Sequence, residues 1–407
     1  MDVFGSLERR GFVQQVTHRD EVAAQLAAGP VTFYIGFDPT ADSLHVGSLL
    51  QLILMRRLQD AGHKAIAVVG GGTARVGDPS GRSELRQMLD DATLAANSEG
   101  IRKQIARIVI LDGERGQMVD NADWLLGLNY IGFLRDIGRH FSVNKMLSAE
   151  AYKQRLEKGL SFIEFNYQIL QAYDFLELFR RHGCTLQIGG DDQWGNILAG
   201  VDLIRRVDQA PSNAFTTPLI TTASGAKMGK TAAGAVWLDA AKTPPFDFYQ
   251  YWINTDDRDV KRFLALYTLL DDAEVERLGA LEGAEIREAK RVLAHELTAM
   301  IHGEEAAVAA RRGAEAMVAG RADADLPSLA ILSEALSAGA KIHAVLVDAG
   351  LVKSRGEGRK MIANGGVTLN NVKVTDPEAV LPADAIGEGG AVLRVGRQRA
   401  VRLVAGD

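Results

Sequence analysis

Apolar positions in the first half of the chain fall into short continuous runs separated by helical stripes. One run closes at Tyr34–Phe37 and is broken by Asp38-Pro39-Thr40; after Gly47 the chain is apolar on nearly every face until Arg56. This reads as a strand, a turn-rich loop and the start of a buried helix. That helix stops at Gly62, and Lys64–Val69, apolar after its first residue, is a second strand. A strand, a crossover helix and a strand in this order imply a parallel pair with right-handed connection, the unit of a doubly wound nucleotide-binding sheet. Residues 1–30 read as one or two lead-in helices, with Val13, Val16, Val22 and Leu26 at roughly helical spacing before Gly29-Pro30. Further on, Thr185–Ile188 is a short buried strand opening onto Gly189-Gly190-Asp191-Asp192-Gln193-Trp194-Gly195-Asn196.

From about Pro244 to Gly320 the pattern turns to Ala-, Glu- and Arg-rich helix without strand signals, and Asp323–Pro327 has a linker-like composition. A small domain begins near Leu336. In it Ile342–Gly350 reads as a helix and Ser354–Lys360 starts another. Val367–Leu369 and Lys373–Thr375 pair as a hairpin across Asn370-Asn371-Val372. The expected architecture is α/β: a doubly wound parallel nucleotide-binding sheet (1–235), a helical domain (236–325) and a small α+β domain (336–407).

Composition narrows this picture. The chain has 407 residues, 47% hydrophobic and 24% charged, as in an ordinary globular protein, with a net charge of -6. The stretch from Lys341 onward carries ten Lys and Arg against seven Asp and Glu, so it is +3 and the remainder -9; such a local excess suits a nucleic-acid surface. A single cysteine, Cys184, rules out an intrachain disulfide or a cysteine-built metal site and is expected to pack in the core. No apolar run approaches membrane-spanning length, and the first twenty residues mix acids and bases without a hydrophobic block. A cytoplasmic protein with no membrane association is the expectation.

The candidate chemistry lies where these elements meet. A loop entering a helix amino terminus attracts phosphate through its backbone N–H groups; His45 and Ser48 add side-chain donors there, and Gly47 permits close approach. The glycine-dense stretch Gly70–Arg82 follows the second strand but lacks the Lys-Ser/Thr ending of a P-loop. In SFIEFNYQILQAYDFLELF, Tyr167, Gln171 and Asp174 stand at i, i+4 and i+7, so one polar face of an otherwise apolar helix is either solvated or lines a cavity. Asp191 and Asp192 could cap a helix or bind a metal, without a His or third carboxylate nearby to complete a cage. Lys353, Arg355, Arg359 and Lys360 cluster at a helix start, suited to RNA phosphates or to solvent. The amphipathic pattern of residues 125–160 covers either the protein's own core or a second subunit.

Taken together, these motifs carry a resemblance. His45-Val46-Gly47-Ser48 is similar to the HIGH signature of class I aminoacyl-tRNA synthetases, and Lys227-Met228-Gly229-Lys230-Thr231 to their KMSKS motif in its KxGKT form. YIGFDPTADSLHVGS, Asp78-Pro79-Ser80-Gly81, NYQILQAYDF and GGDDQWGN resemble the bacterial tyrosyl-tRNA synthetases, and the likeness spans nearly the whole chain. The resemblance implies tyrosine activation by ATP and transfer to tRNA(Tyr). It implies Tyr34 and Asp174 on the tyrosine phenol, Asp78, Tyr167 and Gln171 on its ammonium group, and Gln187 and Gln193 on the rest of the amino-acid pocket and the carboxylate. For ATP it implies Gly36, Asp38, His45, Gly47, Ser48, Gly190, Lys227 and Lys230, with Asp192 on the ribose; Arg82 and Arg86, at helical spacing after the Asp78 motif, are either pyrophosphate partners or a solvated face. Thr40, His45, Lys227 and Lys230 are the implied catalytic donors, and the lysine loop a mobile lid. Asn121, Asp123 and Trp124 match a segment at the site's rim.

The resemblance also implies a homodimer through an insertion at 125–160, Mg²⁺ arriving with ATP rather than in a protein-built metal site, and a tRNA-contacting helical domain. SRGEGRKMIANGGVTLNN is similar to a small RNA-binding module found in a ribosomal protein and in some pseudouridine synthases. Three positions depart from the common family pattern: Ile35 where Cys is frequent, Ser48 for the second His of HIGH, and Gln51 for a frequent Thr. The competing readings are a tryptophanyl-tRNA synthetase, a small-molecule nucleotidylyltransferase, and a noncatalytic RNA-binding protein on a synthetase scaffold.

Overall fold

The computed structural model describes residues 2–80, 89–156, 159–231, 234–319, 326–387, 389–396 and 399–406. It divides into two units, Met1–Asp239 with Lys261–Gly279, and Ala240–Val260 with Ala280–Asp407.

The first unit is built on five parallel strands: β1 (Thr32–Phe37), β2 (Lys64–Val69), β3 (Gly116–Asp120), β4 (Leu186–Gly190) and β5 (Asn213–Thr217). Their spatial order is β3-β2-β1-β4-β5. Strands buried on both faces read as unbroken apolar runs, which is why β1 and β2 stand out in the sequence. Helix α1 (Val46–Asp60) links β1 to β2, and α2 (Asp91–Ile108), capped by Asp90, links β2 to β3. Helix α3 (Phe162–His182) precedes β4. It starts in a Ser161/Glu164 capping box and ends at Gly183, whose φ of 61° a residue with a side chain seldom adopts. Helix α4 (Trp194–Val207) leads from β4 to β5. Tyr34, Ile66, Val68, Phe175, Leu176, Cys184 and Leu203 share one apolar core.

Chain direction across the sheet reverses between β1 and β4. These strands pair only at Phe33↔Leu186 and Tyr34↔Gln187, whereas β1 and β2 pair along their whole length from Thr32↔Lys64 to Phe37↔Val69. Beyond Tyr34 the two central strands part, opening a crevice at their carboxyl ends, the usual ligand position of such sheets.

The amino-terminal stretch holds two helices, Val3–Arg10 and Arg19–Ala28, but Val13 and Val16 lie between them. Gly11, at φ 86°, ends the first helix, and Val16 then bridges Phe215 at the β5 edge. The apparent helical stripe there is an extended segment reaching a strand.

In the second unit, α5 (Pro245–Ile253), α6 (Ile286–His302) and α7 (Glu304–Ala319) pack on one another. They are followed by a mixed sheet of order β10-β9-β11-β12-β8. Its strands are β8 (Ser328–Leu332), β9 (Val367–Leu369), β10 (Val372–Val374), β11 (Ala391–Val395) and β12 (Arg399–Gly406), with helices α8 (Ile342–Asp348) and α9 (Arg355–Ala363) between β8 and β9. The β9–β10 hairpin pairs Leu369 with Val372, so its turn is the two residues Asn370 and Asn371, at φ 48° and 66°. Asparagine tolerates this left-handed geometry, which twists with the strands; the three-residue turn expected from the sequence is one residue too long. Strand β8 was not expected. It runs parallel to β12, a pairing between the two ends of the module that local patterning does not reveal.

Candidate active site

A pocket of about 170 Å³ occupies the crevice between β1 and β4. Its walls include Tyr34 from β1, Asp78 from the loop after β2, Tyr167, Gln171 and Asp174 from α3, Gln187 from β4 and Gln193 from the turn before α4. The polar face of α3 therefore lines a cavity instead of meeting solvent, and the structure brings together all seven residues expected around an amino acid.

At one end Asp174 is buried. Its Oδ2 accepts from Asn121 Nδ2 at 2.9 Å and its Oδ1 from Trp124 Nε1 at 2.7 Å. Burial pushes its carboxyl up to about 7, against the opposing pull of these two donors. Tyr34 presents its hydroxyl to the same pocket, buried and without a hydrogen-bond partner among the described residues. Burial, and then the charge of Asp174, hold its phenol well above the ordinary tyrosine range. Asn121 and Trp124 are thus buried braces behind Asp174; the sequence motif places them at a rim, and the structure corrects that. Asp123 between them is exposed.

In the middle of the pocket Asp78 accepts from Gln193 Nε2 at 2.6 Å and from the Ser80 amide at 2.9 Å. Asn196 Nδ2 lies 3.2 Å from Gln193 Oε1 and 3.1 Å from Gln171 Oε1, tying both glutamines to α4. Asn196 was part of a quoted motif without a role; its buried amide joins two pocket walls. The Tyr167 hydroxyl donates to Asp38 at 2.8 Å and Thr73 to the other oxygen of Asp38 at 2.7 Å. Gln187 Oε1 is buried with no partner among the described residues. The two adjacent aspartates have different surroundings. Asp191 accepts from Gln15 and Thr216, fixing the amino-terminal segment to β5, whereas burial and then the charge of Asp78 raise the Asp192 carboxyl.

The α1 entrance lies alongside the lysine loop. His45 caps α1, with Nδ1 accepting the Gly47 amide at 3.0 Å. The Val46 amide donates to Val236 O and the Ser48 amide to His45 O. The first amides of this helix are therefore engaged and are not the bare N–H groups that the sequence suggests, so the candidate donors here are side chains, the His45 ring and the Ser48 hydroxyl. Across from them, Met228 is buried and donates to Ile220 O, while Gly229 accepts from the Val236 amide. A side chain on Gly229, at φ 79°, would stand 3.3 Å from the Gly47 nitrogen, so the two signature loops touch through their backbones.

Lys227 is exposed in this loop. Lys230 opens a two-residue strand, β6 (Lys230–Thr231), paired with β7 (Gly234–Ala235); its side chain, like the whole of Arg82 and Arg86, lies outside the described residues. Thr40 and Gly36 are exposed, and Gly190 sits so close to Asp192 that an added Cβ would stand 2.7 Å from its carboxylate. Of the departures, Ile35 and Gln51 line the pocket, and Gln51 Nε2 donates to Thr217 Oγ1 at 2.7 Å. In the second unit Lys353, Arg355, Arg359 and Lys360 are all exposed around the start of α9, and Arg359 is paired with Glu378. Among the described residues no group of three or more His, Cys, Asp or Glu side chains is placed to hold a metal ion.

A doubly wound sheet whose switch-point pocket holds a polar-ended slot, beside a His-capped helix and a lysine loop, defines a nucleotide-binding α/β enzyme that takes a small amino acid-sized ligand. The chain belongs to the family described as tRNA synthetases class I (W and Y), whose model matches residues 26–319. A second model, the tyrosine–tRNA ligase SYY-like C-terminal domain, matches residues 320–401. The chain is 50% identical over 404 residues to a tyrosine–tRNA ligase of Clostridium tetani and 49% identical over 403 residues to one of Clostridium kluyveri, covering 99% of each chain in both pairs. Among solved structures it is similar to a C-terminally truncated mitochondrial tyrosyl-tRNA synthetase of Aspergillus nidulans, with a TM-score of 0.69 and 30% identity over 76% of this chain and 92% of that one.

Proposed function

We infer that this protein is a tyrosine–tRNA ligase, joining tyrosine to ATP as tyrosyl-adenylate and then passing the tyrosyl group to tRNA(Tyr). Full-length similarity to tyrosine–tRNA ligases supports the tyrosine reading over the tryptophanyl one. The observation that carries it in the site is the pairing of an unpartnered Tyr34 hydroxyl with the Asp174 carboxylate at one end of the pocket. A phenol between them accepts from Tyr34 and donates to Asp174. Phenylalanine would leave both buried groups unsatisfied, at a cost of about 1–3 kcal/mol each.

In the first step a tyrosine carboxylate oxygen attacks the α-phosphorus of ATP; the bond to the bridging oxygen breaks and pyrophosphate leaves. In the second, the 2′- or 3′-hydroxyl at the tRNA end attacks the tyrosyl carbonyl and AMP leaves. The substrate brings its own nucleophile, so the protein's task is to position reactants and stabilise charge on the departing phosphates. Thr40, His45, Lys227 and Lys230 are the donors for that charge. Asp78, Tyr167 and Gln171 hold the ammonium, Gln187 and Gln193 the rest of the amino acid, and Gly36, Asp38, Gly47, Ser48, Gly190 and Asp192 the nucleotide. Contact between the Gly47 and Gly229 backbones supports a coupled movement of the two loops. Mg²⁺ enters as part of the MgATP substrate.

The functional division we propose is a catalytic part at 1–235, a tRNA-contacting helical part at 236–325 and an RNA-binding module at 336–407, in which Lys353, Arg355, Arg359 and Lys360 meet RNA phosphates. The active form is a homodimer. Its support is the exposed apolar surface of the 125–163 region, where Leu126, Tyr130, Ile131, Val143 and Phe162 are each 57% or more exposed. We place the enzyme in the cytoplasm; no described helix is long and apolar enough to cross a membrane.

Pyrophosphate exchange into ATP, compared for tyrosine, phenylalanine and tryptophan, tests the reading. Tyrosine-dependent exchange that Asp174→Ala abolishes supports it. Exchange driven by tryptophan, or by no amino acid, refutes it.

A further inference from the structure

Outside the pocket, side chains from two segments of the carboxyl-terminal module converge on one carboxylate. Arg359 of α9 approaches Glu378 with Nε 2.6 Å from Oε1. Lys341, just before α8, places Nζ 3.8 Å from Oε2 and donates to the Glu378 main-chain carbonyl at 2.7 Å. From α8 itself, His343 Nε2 faces Oε2 at 3.6 Å. The backbone fixes this arrangement, since the Ile342 amide donates to Ala379 O and the Leu381 amide to Ala340 O.

Surface ion pairs of this kind usually contribute little and need no further role. His343 sets this cluster apart. Its residue is 3% exposed, and both ring nitrogens are buried without a hydrogen-bond partner among the described residues. A distance of 3.6 Å leaves Nε2 outside hydrogen-bond range of the carboxylate it faces. Glu378 is therefore an incomplete occupant: it neutralises two cations and leaves a buried nitrogen unsatisfied. Its side chain is half-exposed.

We propose that Lys341, His343 and Arg359 form a binding site for one phosphodiester of an RNA backbone, which Glu378 occupies in the free protein and vacates when RNA binds. A phosphodiester carries the same single negative charge as the carboxylate but presents its oxygens tetrahedrally, so one can reach His343 Nε2 while another keeps Arg359. The inference rests on the reading that this module contacts tRNA, and it adds Lys341 and His343 to the contact face while making Glu378 a competitor for it. In the free protein Arg359 already has an anion, so its bond to RNA releases no counterion. Removing the competitor restores that release, and each added phosphate contact steepens the slope of log affinity against log salt by about 0.7–0.9.

The test is the affinity of the full chain for a tRNA(Tyr) transcript between 50 and 200 mM salt, with pyrophosphate exchange and thermal melting as controls. Glu378→Gln should bind roughly three- to ten-fold tighter at low salt. Its added slope should cost it an extra factor of about three across that salt range. Arg359→Gln should bind more weakly, and adding it to Glu378→Gln should remove both the tightening and the added slope. Exchange should be unchanged in Glu378→Gln. Unchanged or weakened binding in a folded Glu378→Gln protein overturns the proposal; if that variant does not fold, an unchanged affinity in Lys341→Gln does so instead. A combined Lys353→Gln, Arg355→Gln, Lys360→Gln variant separates the two levels. If it loses affinity while Glu378→Gln changes nothing, only the proposed site fails, whereas if it too changes nothing, the module's contact with tRNA fails with it.

Discussion

Asp174→Asn should make the protein more stable at pH 8 than it is now, and useless for activating tyrosine. Burial raises the Asp174 carboxyl from 3.8 to about 7. At about 1.4 kcal/mol per unit, this roughly three-unit rise means that carrying the charge costs the folded state on the order of 4 kcal/mol. The folded state holds the proton more tightly than the unfolded chain, so stability from this group is complete below about pH 4. It falls as pH rises toward 7 and is flat beyond. Asparagine resembles the protonated carboxyl in shape and keeps one oxygen to accept from Asn121 or Trp124, at the cost of turning its NH₂ toward the other donor, but it never ionises. Relative to the parent, the variant should therefore gain about 2–3 kcal/mol of stability between pH 5 and pH 8. Denaturant midpoints of both proteins at the two pH values measure it, since other titrating groups cancel in the difference. Tyrosine-dependent exchange in the parent should increase through about pH 7 as Asp174 ionises to accept the phenol proton, and in the variant should be low at every pH. A variant no more stabilised at pH 8 than at pH 5, or one that still selects tyrosine, would refute the assignment of Asp174 as a buried charge kept for the substrate.

Tyr34→Phe removes a buried hydroxyl that has no partner among the described residues, so melting temperature should hold or rise. The preference for tyrosine over phenylalanine should fall roughly three- to ten-fold, the worth of one neutral hydrogen bond; a loss of stability would mean that the hydroxyl is bonded in the free protein. Lys227→Ala, in an exposed loop, should slow pyrophosphate exchange on the order of a hundred-fold or more with unchanged melting, as expected for a donor acting on transition-state charge. An effect on KM for ATP with kcat intact would assign it to ground-state binding instead. Ile131→Glu with Phe162→Glu should shift the protein to monomer in analytical ultracentrifugation, and a dimer that persists would place the subunit interface elsewhere.

The sheet could be read from the chain where local physics and tertiary placement agree. Continuous apolar runs mark β1 and β2 because both strands are buried on two sides, while β8 was invisible because its partner, β12, lies some seventy residues downstream. In the pocket, helical spacing put Tyr167, Gln171 and Asp174 on one face without deciding between solvent and cavity; the crossover between β1 and β4 decides it. The braces behind Asp174 come from a segment about fifty residues earlier, and no periodicity connects them. His45 likewise reads as a phosphate donor in sequence, which does not say which nitrogen would donate: Nδ1 accepts the Gly47 amide, which puts the ring proton on Nε2.

What the sequence is least able to show is which polar atoms remain unanswered. Asp78, Gln193, Gln171 and Asn196 line or adjoin the pocket but bind one another, and Asp38 is held by Tyr167 and Thr73, so their presence alone does not orient a ligand. Buried groups normally find partners, and an unpaired one is costly enough to need a reason. Among the described residues three such atoms belong to the pocket lining, Tyr34 Oη, Gln187 Oε1 and, from α1, Gln51 Oε1. The first stands with Asp174, a carboxylate that burial keeps reluctant to ionise, and a hydroxyl-bearing ring is the ligand that relieves both. The second lies on the neighbouring strand, directly across from Tyr34 in the register, where the body of the amino acid would run. The polarity proposed for the slot, phenol end and amino-acid end, thus rests on where hydrogen bonding is incomplete, and residue identity supplies only the list of candidates.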